Sequence, residues 1–178
     1  APAWNMTVAF ARLHPDVLVA ALPMLAKKVP PALSLKGPAG ITVISSGTAQ
    51  AFEINTAADM SAMGIRYANA FVKPVGTPLT LKNTAIFHKG LIDVPSLVVG
   101  LDQITAALKG QIKTGEQKKS SYRFVMHSEN LGLEKMARLV TPLTAFKPTG
   151  ILRVQGEING GNAHTALNMR ALSQTLGL

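Results

Sequence analysis

Phe52-Glu53-Ile54-Asn55-Thr56-Ala57-Ala58-Asp59 alternates along its whole length: Phe52, Ile54, Thr56 and Ala58 fall to one side of an extended chain, Glu53, Asn55 and Asp59 to the other. Side chains of a strand point to opposite faces with a period of two, so the pattern marks a strand with one covered face and one wet face. Ile41 and Val43 alternate with Thr42 in the run before it, and residues 45–47 read as the turn between the two. That spacing predicts a hairpin.

Alternation of this kind continues through residues 79–87, 91–99, 101–112, 122–128, 150–158 and 163–169. The runs are short and regularly spaced, as in a meandering antiparallel sheet. Residues 101–108 have helical propensity, but Ile104, Ala106 and Leu108 alternate with Thr105, Ala107 and Lys109, which favours a strand. His88-Lys89-Gly90 is a tight-turn signal, and residues 113–121, with Gly115 and three lysines, read as a solvated loop.

Two segments break the period. Pro15 at a first helical position, Asp16 in the first turn, and the face formed by Val17, Leu18, Ala21, Leu22 and Leu25 predict a helix over 15–26. Lys27 and Lys28 suit its far end, and Pro23 ends or kinks it. A second helix is predicted near 131–140, where Leu133, Met136, Ala137 and Val140 share a face, with Asn130 as the cap and Pro142 as the stop. Each helix is followed by a Pro-x-Gly-Ile step, Pro38-Ala39-Gly40-Ile41 and Pro148-Thr149-Gly150-Ile151. A helix-loop-strand unit therefore reads as duplicated at 15–47 and 131–158.

The chain of 178 residues is expected to form a single domain over 1–178, large enough to bury a core unaided. Apolar residues make up 47% and charged residues 15%, which excludes a disordered chain. There is no cysteine, so disulfides and thiol chemistry are excluded. Eighteen Lys and Arg against nine Asp and Glu give a net charge of +9, which favours anionic partners. The densest apolar segment, 17–26, is interrupted by Pro23 and falls short of the roughly 18 residues of a membrane-spanning helix. The start at Ala1, without a signal-type segment, reads as a processed chain or an excised fragment.

Three stretches resemble the AsmA family of Gram-negative envelope proteins, which includes TamB-like and YhdP-like members. They are the two helix-to-Pro-x-Gly-Ile steps, Ser46-Gly47-Thr48-Ala49-Gln50, and the connection Tyr67-Ala68-Asn69-Ala70-Phe71-Val72-Lys73-Pro74-Val75-Gly76-Thr77-Pro78-Leu79. The match is best over 35–160. The resemblance implies a mainly β fold with two short helices: a long, curved, open, taco-like antiparallel sheet whose apolar concave face conducts phospholipid between membranes. It also implies a periplasmic location, an inner-membrane anchor outside this stretch, a link to outer-membrane biogenesis, and neither a catalytic role nor a cofactor. A different class of function remains beside it, a structural scaffold that assists outer-membrane protein assembly through protein contacts.

The residues themselves also predict a sheet with one long aliphatic face, which helices, another copy or a ligand must cover. Ile41, Val43, Phe52, Ile54, Leu97, Val99 and Leu152 are the candidate lining of a lipid groove, and plain core residues would be of the same types. Lys109, Lys113, Lys118, Lys119 and Arg123 form the densest basic cluster, read either as head-group contacts or as a solvated loop. His127 and Glu129 share a strand face and form either an acid-base pair or a polar strand end. The four histidines lack metal-ligand spacing, so no metal is expected. Nucleophile-elbow, phosphate-loop and dinucleotide motifs are absent from the sequence. Nine aromatics out of step with the basic residues argue against nucleic acid. Asn5-Met6-Thr7 matches a glycosylation triplet, a pattern common by chance.

Overall fold

The computed structural model describes residues 2–21, 29–115, 120–161 and 165–177. In chain order its elements are β1 (Ala3–Leu13), α1 (Pro15–Ala21), β2 (Leu33–Lys36), β3 (Ala39–Thr48), β4 (Ala51–Asp59), β5 (Gly64–Tyr67) and β6 (Phe71–Lys73). There follow β7 (Leu79–His88), β8 (Leu91–Leu101), β9 (Ile104–Thr114), β10 (Ser120–Gly132), α2 (Leu133–Leu139), α3 (Thr141–Thr144), β11 (Thr149–Gly161) and β12 (Thr165–Gly177). The protein is mainly β, as the alternation predicts.

Nine strands form one open antiparallel sheet in the order β1-β3-β4-β7-β8-β9-β10-β11-β12. Sequence neighbours lie side by side, as in a meander, apart from two excursions. Residues between β1 and β3 supply α1 and β2, and residues between β4 and β7 supply β5 and β6. The excursions meet as a second, three-stranded sheet, β2-β5-β6. The predicted strands from residue 41 onward all fall in the large sheet; residues 163 and 164 lie outside the described residues.

Several local readings are corrected. Residues 45–47 are not a turn: β3 runs on to Thr48, and the chain reverses at Ala49-Gln50, where Thr48 Oγ1 accepts from the backbone N–H of Gln50 and Ala51. Gly47, at φ +139, approaches β4 too closely for a side chain, since a Cβ there would lie 2.5 Å from Phe52 Cα. Residues 102–103 leave the strand pattern because Asp102 takes φ +54 in a turn. Lys113, Ser120 and Ser121 belong to strands rather than to a loop. The turn at Lys89-Gly90 is as expected, with Gly90 at φ +75.

The first helix covers Pro15–Ala21, and the predicted end at Pro23 with Lys27 and Lys28 lies outside the described residues. In the second helix Asn130 is not the cap. β10 continues through Gly132, which occupies the N-cap without a side-chain hydrogen bond. Pro142 does not stop the helix; it opens α3, where its missing N–H costs nothing. Both Pro-x-Gly-Ile steps do lead into strands, β3 and β11, although β2 intervenes between α1 and the first.

The buried apolar side chains among the described residues gather mostly at one end of the strands. Leu133, Ala137 and Leu139 lie on α2, which packs against β6, β10 and β11; Ala39 and Leu79 open β3 and β7, Met63 precedes β5, and Ala85 lies further along the sheet. Hydrogen bonds tie the parts together there: Thr141 N–H donates to the Ala70 carbonyl, and Met60 N–H to that of Leu79.

Candidate lipid-binding face

Residues directly opposite in an antiparallel ladder share a face, so the register assigns every paired side chain to one of two faces. One row crosses all nine strands as Val8, Val43, Thr56, Asn83, Leu97, Leu108, Met126, Gly156 and Met169. The next crosses as Phe10, Ile41, Ala58, Leu81, Val99, Ala106, Ser128, Val154 and Ala171. Phe52 and Ile54 lie in the two rows beyond the Val43 row, and Leu152 precedes Val154 by two residues in β11. All seven candidate lining residues therefore occupy the same face.

Among the paired residues of this first face none is charged. A β-bulge in β8 at Pro95-Ser96 preserves the pattern: it shifts the phase so that Ile92 and Val94 face the same way as Leu97 and Val99. Most of these side chains are half-buried, and most of those described on the outer strands are exposed, Met6 by 53% and Leu167 by 57%. Aromatic rings cluster at one end. The Phe52 and Phe87 rings stack with centroids 4.5 Å apart, and Trp4 tilts against Phe52 while its Nε1–H donates to Ser45 Oγ at 3.1 Å.

The sequence reading missed β1 and with it Trp4, Met6 and Phe10 on this face. The signal was present in the alternation of Trp4, Met6, Val8 and Phe10, the same period read further along.

The basic candidates lie elsewhere. Lys109, Lys113 and Arg123 are on the second face, opposite the lining residues, and Lys118 and Lys119 lie outside the described residues. Arg123 is engaged across the strands: its Nε lies 3.0 Å from Glu157 Oε1, and its second nitrogen donates to Oε2 at 3.1 Å. Hydrogen bonds from Arg123, then Asn159, hold the Glu157 carboxyl below its ordinary range. His127 is on the second face between Ala107 and Gln155, beside an open depression of about 450 Å³ bounded by Pro95, Lys109 and Val125. The Glu129 side chain is outside the described residues. No group of three or more His, Asp or Glu side chains among the described residues could hold a metal ion.

Lys73, in the Lys73-Pro74 step of the connection over residues 67–79, has a structural task. Its side chain is 1% exposed, and its ammonium donates to the carbonyls of Met63 at 2.6 Å and of Ser61 and Pro74 at 3.2 Å each. Burial pulls its pKa below the ordinary lysine value, while the nearby Asp59 carboxylate pushes it back up. Hydrogen bonds from Ser61 hold Asp59 below its own ordinary value, with a smaller contribution from Lys73. The ammonium thus fastens β6 to the loop between β4 and β5. No helix among the described residues is long and apolar enough to cross a membrane. No family model, no curated protein and no solved structure matches the chain.

Proposed function

We propose that the first face of the large sheet holds the acyl chains of a phospholipid or another amphipathic lipid. In this reading the chain is a non-enzymatic, AsmA-like module of the periplasmic envelope that supports outer-membrane biogenesis. The observation that carries it is the run of uncharged, partly exposed side chains across nine strands, with every paired charge on the opposite face. Strands spaced about 4.8 Å apart make that face roughly 38 Å wide. One leaflet of bilayer hydrocarbon is only about 15 Å deep, so the width accommodates whole acyl chains. Each methylene transferred from water to such a surface contributes about 0.8 kcal/mol.

The open edges of the sheet favour a second reading, a scaffold that engages assembly proteins through strand contacts. Organic extraction of the purified chain followed by mass spectrometry separates the two. Acyl lipid in stoichiometric amount is expected. A lipid-free extract, with no uptake from added phospholipid, would leave the scaffold as the better reading.

A further inference from the structure

The loop from β6 to β7, Pro74-Val75-Gly76-Thr77-Pro78, stands at the end of β7, a strand with three strands of the large sheet on one side and five on the other. Strands added at either edge would therefore not cover it. The loop is uncharged, Val75 is 66% exposed, and a Cβ at Gly76, where φ is +87, would meet no atom within 4 Å beyond its chain neighbours. Its backbone is largely satisfied from within. Pro74 and Pro78 have no N–H, and those of Gly76 and Thr77 donate to the carbonyls of Ser61 and Pro74. Lys73, bonded to the Pro74 carbonyl, fixes the base of the loop.

Two depressions meet at Pro74 and Val75, and cations line both. One, of about 360 Å³, is bounded by Lys36 and Arg66. These lie diagonally across the β2–β5 ladder, since Lys36 is opposite Gly64 and Arg66 opposite Ser34, a spacing long side chains span. The other, of about 510 Å³, is bounded by Lys135 and Arg138 of α2. Among the described residues none of the four pairs with a carboxylate, and Lys135 donates to the neutral Gln103 amide oxygen. Asp102 is the one acidic side chain bounding either depression, and Glu134 of α2 bounds neither.

We propose that this loop is a docking tip for an anionic membrane leaflet. Val75 enters between the headgroups, and Lys36, Arg66, Lys135 and Arg138 meet lipid phosphates. An uncharged loop whose N–H groups are already bonded gives up little hydration on entering that boundary, and each cation near anionic lipid strengthens the attraction. The loop leads straight into Leu79, which shares the first face with Leu81 and pairs with Leu101. Docking therefore sets that end of the first face against the leaflet. This consequence rests on the acyl-lipid reading above, whereas docking is measured apart from it.

The full chain is mixed with phosphatidylcholine vesicles with and without phosphatidylglycerol. Replacing Lys36, Arg66, Lys135 and Arg138 by glutamine removes four charges from the net +9, and replacing Lys82, Lys109, Lys113 and Arg153 removes the same number, so only position differs. The first variant is expected to bind phosphatidylglycerol vesicles on the order of a hundredfold more weakly. The second is expected to lose less. With the tip docked, Lys109 and Lys113 stand five and nine residues up β9 from Ile104, about 17 and 30 Å and beyond a Debye length. Circular dichroism melting establishes that both variants fold. Because the chain has no cysteine, a polarity-sensitive dye on Val75→Cys reports the tip alone. Its emission is expected to shift to the blue on anionic vesicles, while a dye on Ser96→Cys, exposed on the second face, does not shift. Equal weakening of the two folded variants, an unmoved Val75 dye, or equal binding to vesicles lacking phosphatidylglycerol would overturn the proposal. Acyl uptake is read separately by extraction, so a chain that docks without carrying lipid supports the tip and removes the acyl reading.

Discussion

At Lys73 a cation is taken out of water and given three carbonyl oxygens, so its removal strands the buried Met63 carbonyl as well as losing the charge-assisted hydrogen bonds. Lys73→Met is expected to cost about 2 to 4 kcal/mol in urea unfolding, whereas Lys89→Met in an exposed turn stays within about 0.5 kcal/mol. Equal stability of the two variants would contradict the fastening role. Asp59 and Glu157 give a pH dependence with a definite sign. Their folded pKa values lie below the ordinary 3.8 and 4.5, so the unfolded chain binds more protons. Their contribution is therefore present above those ordinary values and lost as pH falls through the lower folded ones. Thermal melts from about pH 5 to about pH 2.5 are expected to fall, and less steeply in the Asp59→Asn, Glu157→Gln double variant. Ile54, half-buried between Ser45 and Ala85, tests the lipid face. On a partly open face the carboxylate of Ile54→Asp still reaches water, so the fold is retained while lipid uptake is lost. In a closed core the unpaired charge would cost several kcal/mol and unfold the domain. Melting and lipid extraction on the same variant distinguish these, and a folded variant with undiminished lipid would remove Ile54 from the site.

Among the elements, β9 meets β10 at Gly110, which lies opposite Phe124. A Cβ at this position would meet the Arg123 carbonyl oxygen at 2.2 Å and Phe124 Cα at 2.8 Å, so backbone must move to admit it. Gly110→Ala is expected to cost about 1 to 3 kcal/mol by overpacking. Gly132→Ala, whose added Cβ would meet only the Lys135 stem at 3.6 Å, is expected to cost less than about 1 kcal/mol as a change of N-cap. Chemical denaturation of both variants checks the ordering. The reversed order would mean that the β9–β10 ladder yields where the geometry has it rigid. The element-level misreadings have physical causes of the same kind. Asn130 is a good N-cap by residue type, but the pairing of β10 with β11 resumes at Leu131 after a bulge and holds the chain extended through Gly132. Gly47 looks like a turn residue because it permits φ > 0; here the same freedom serves close strand contact.

For the whole molecule, the net charge of +9 and the second face, which carries Lys82, Lys109, Lys113 and Arg153 beside Glu53, Asp59, Asp93 and Glu157, predict attraction to anionic membrane surfaces. Each lysine near such a surface contributes about 1 kcal/mol, screened within a Debye length of about 10 Å at 0.1 M salt. Cosedimentation is expected with anionic vesicles and to weaken as salt rises. Equal binding to neutral vesicles would contradict it. Because these lysines lie on the face opposite Ile41 and Val99, a charged surface and an acyl chain would be met on different sides of the sheet.

The sequence by itself determined that the chain is a meandering antiparallel sheet and which residues share a side of each strand, because a period of two is a local property of extended backbone. It therefore placed Leu97 with Val99, Phe52 with Ile54, and Lys109 opposite Leu108, before any strand was paired. Only the tertiary structure decided how those sides join into one face. Register depends on hydrogen bonds between distant strands and on the bulge at Pro95-Ser96, which corrects the phase of β8. The pairing of Arg123 with Glu157, the meeting of β2 with β5 and β6, and the burial of Lys73 are likewise contacts between segments remote in sequence. A lysine reads as a solvated charge until the fold removes the water and supplies the carbonyls, and that exchange is set by the packing around it rather than by its neighbours in the chain.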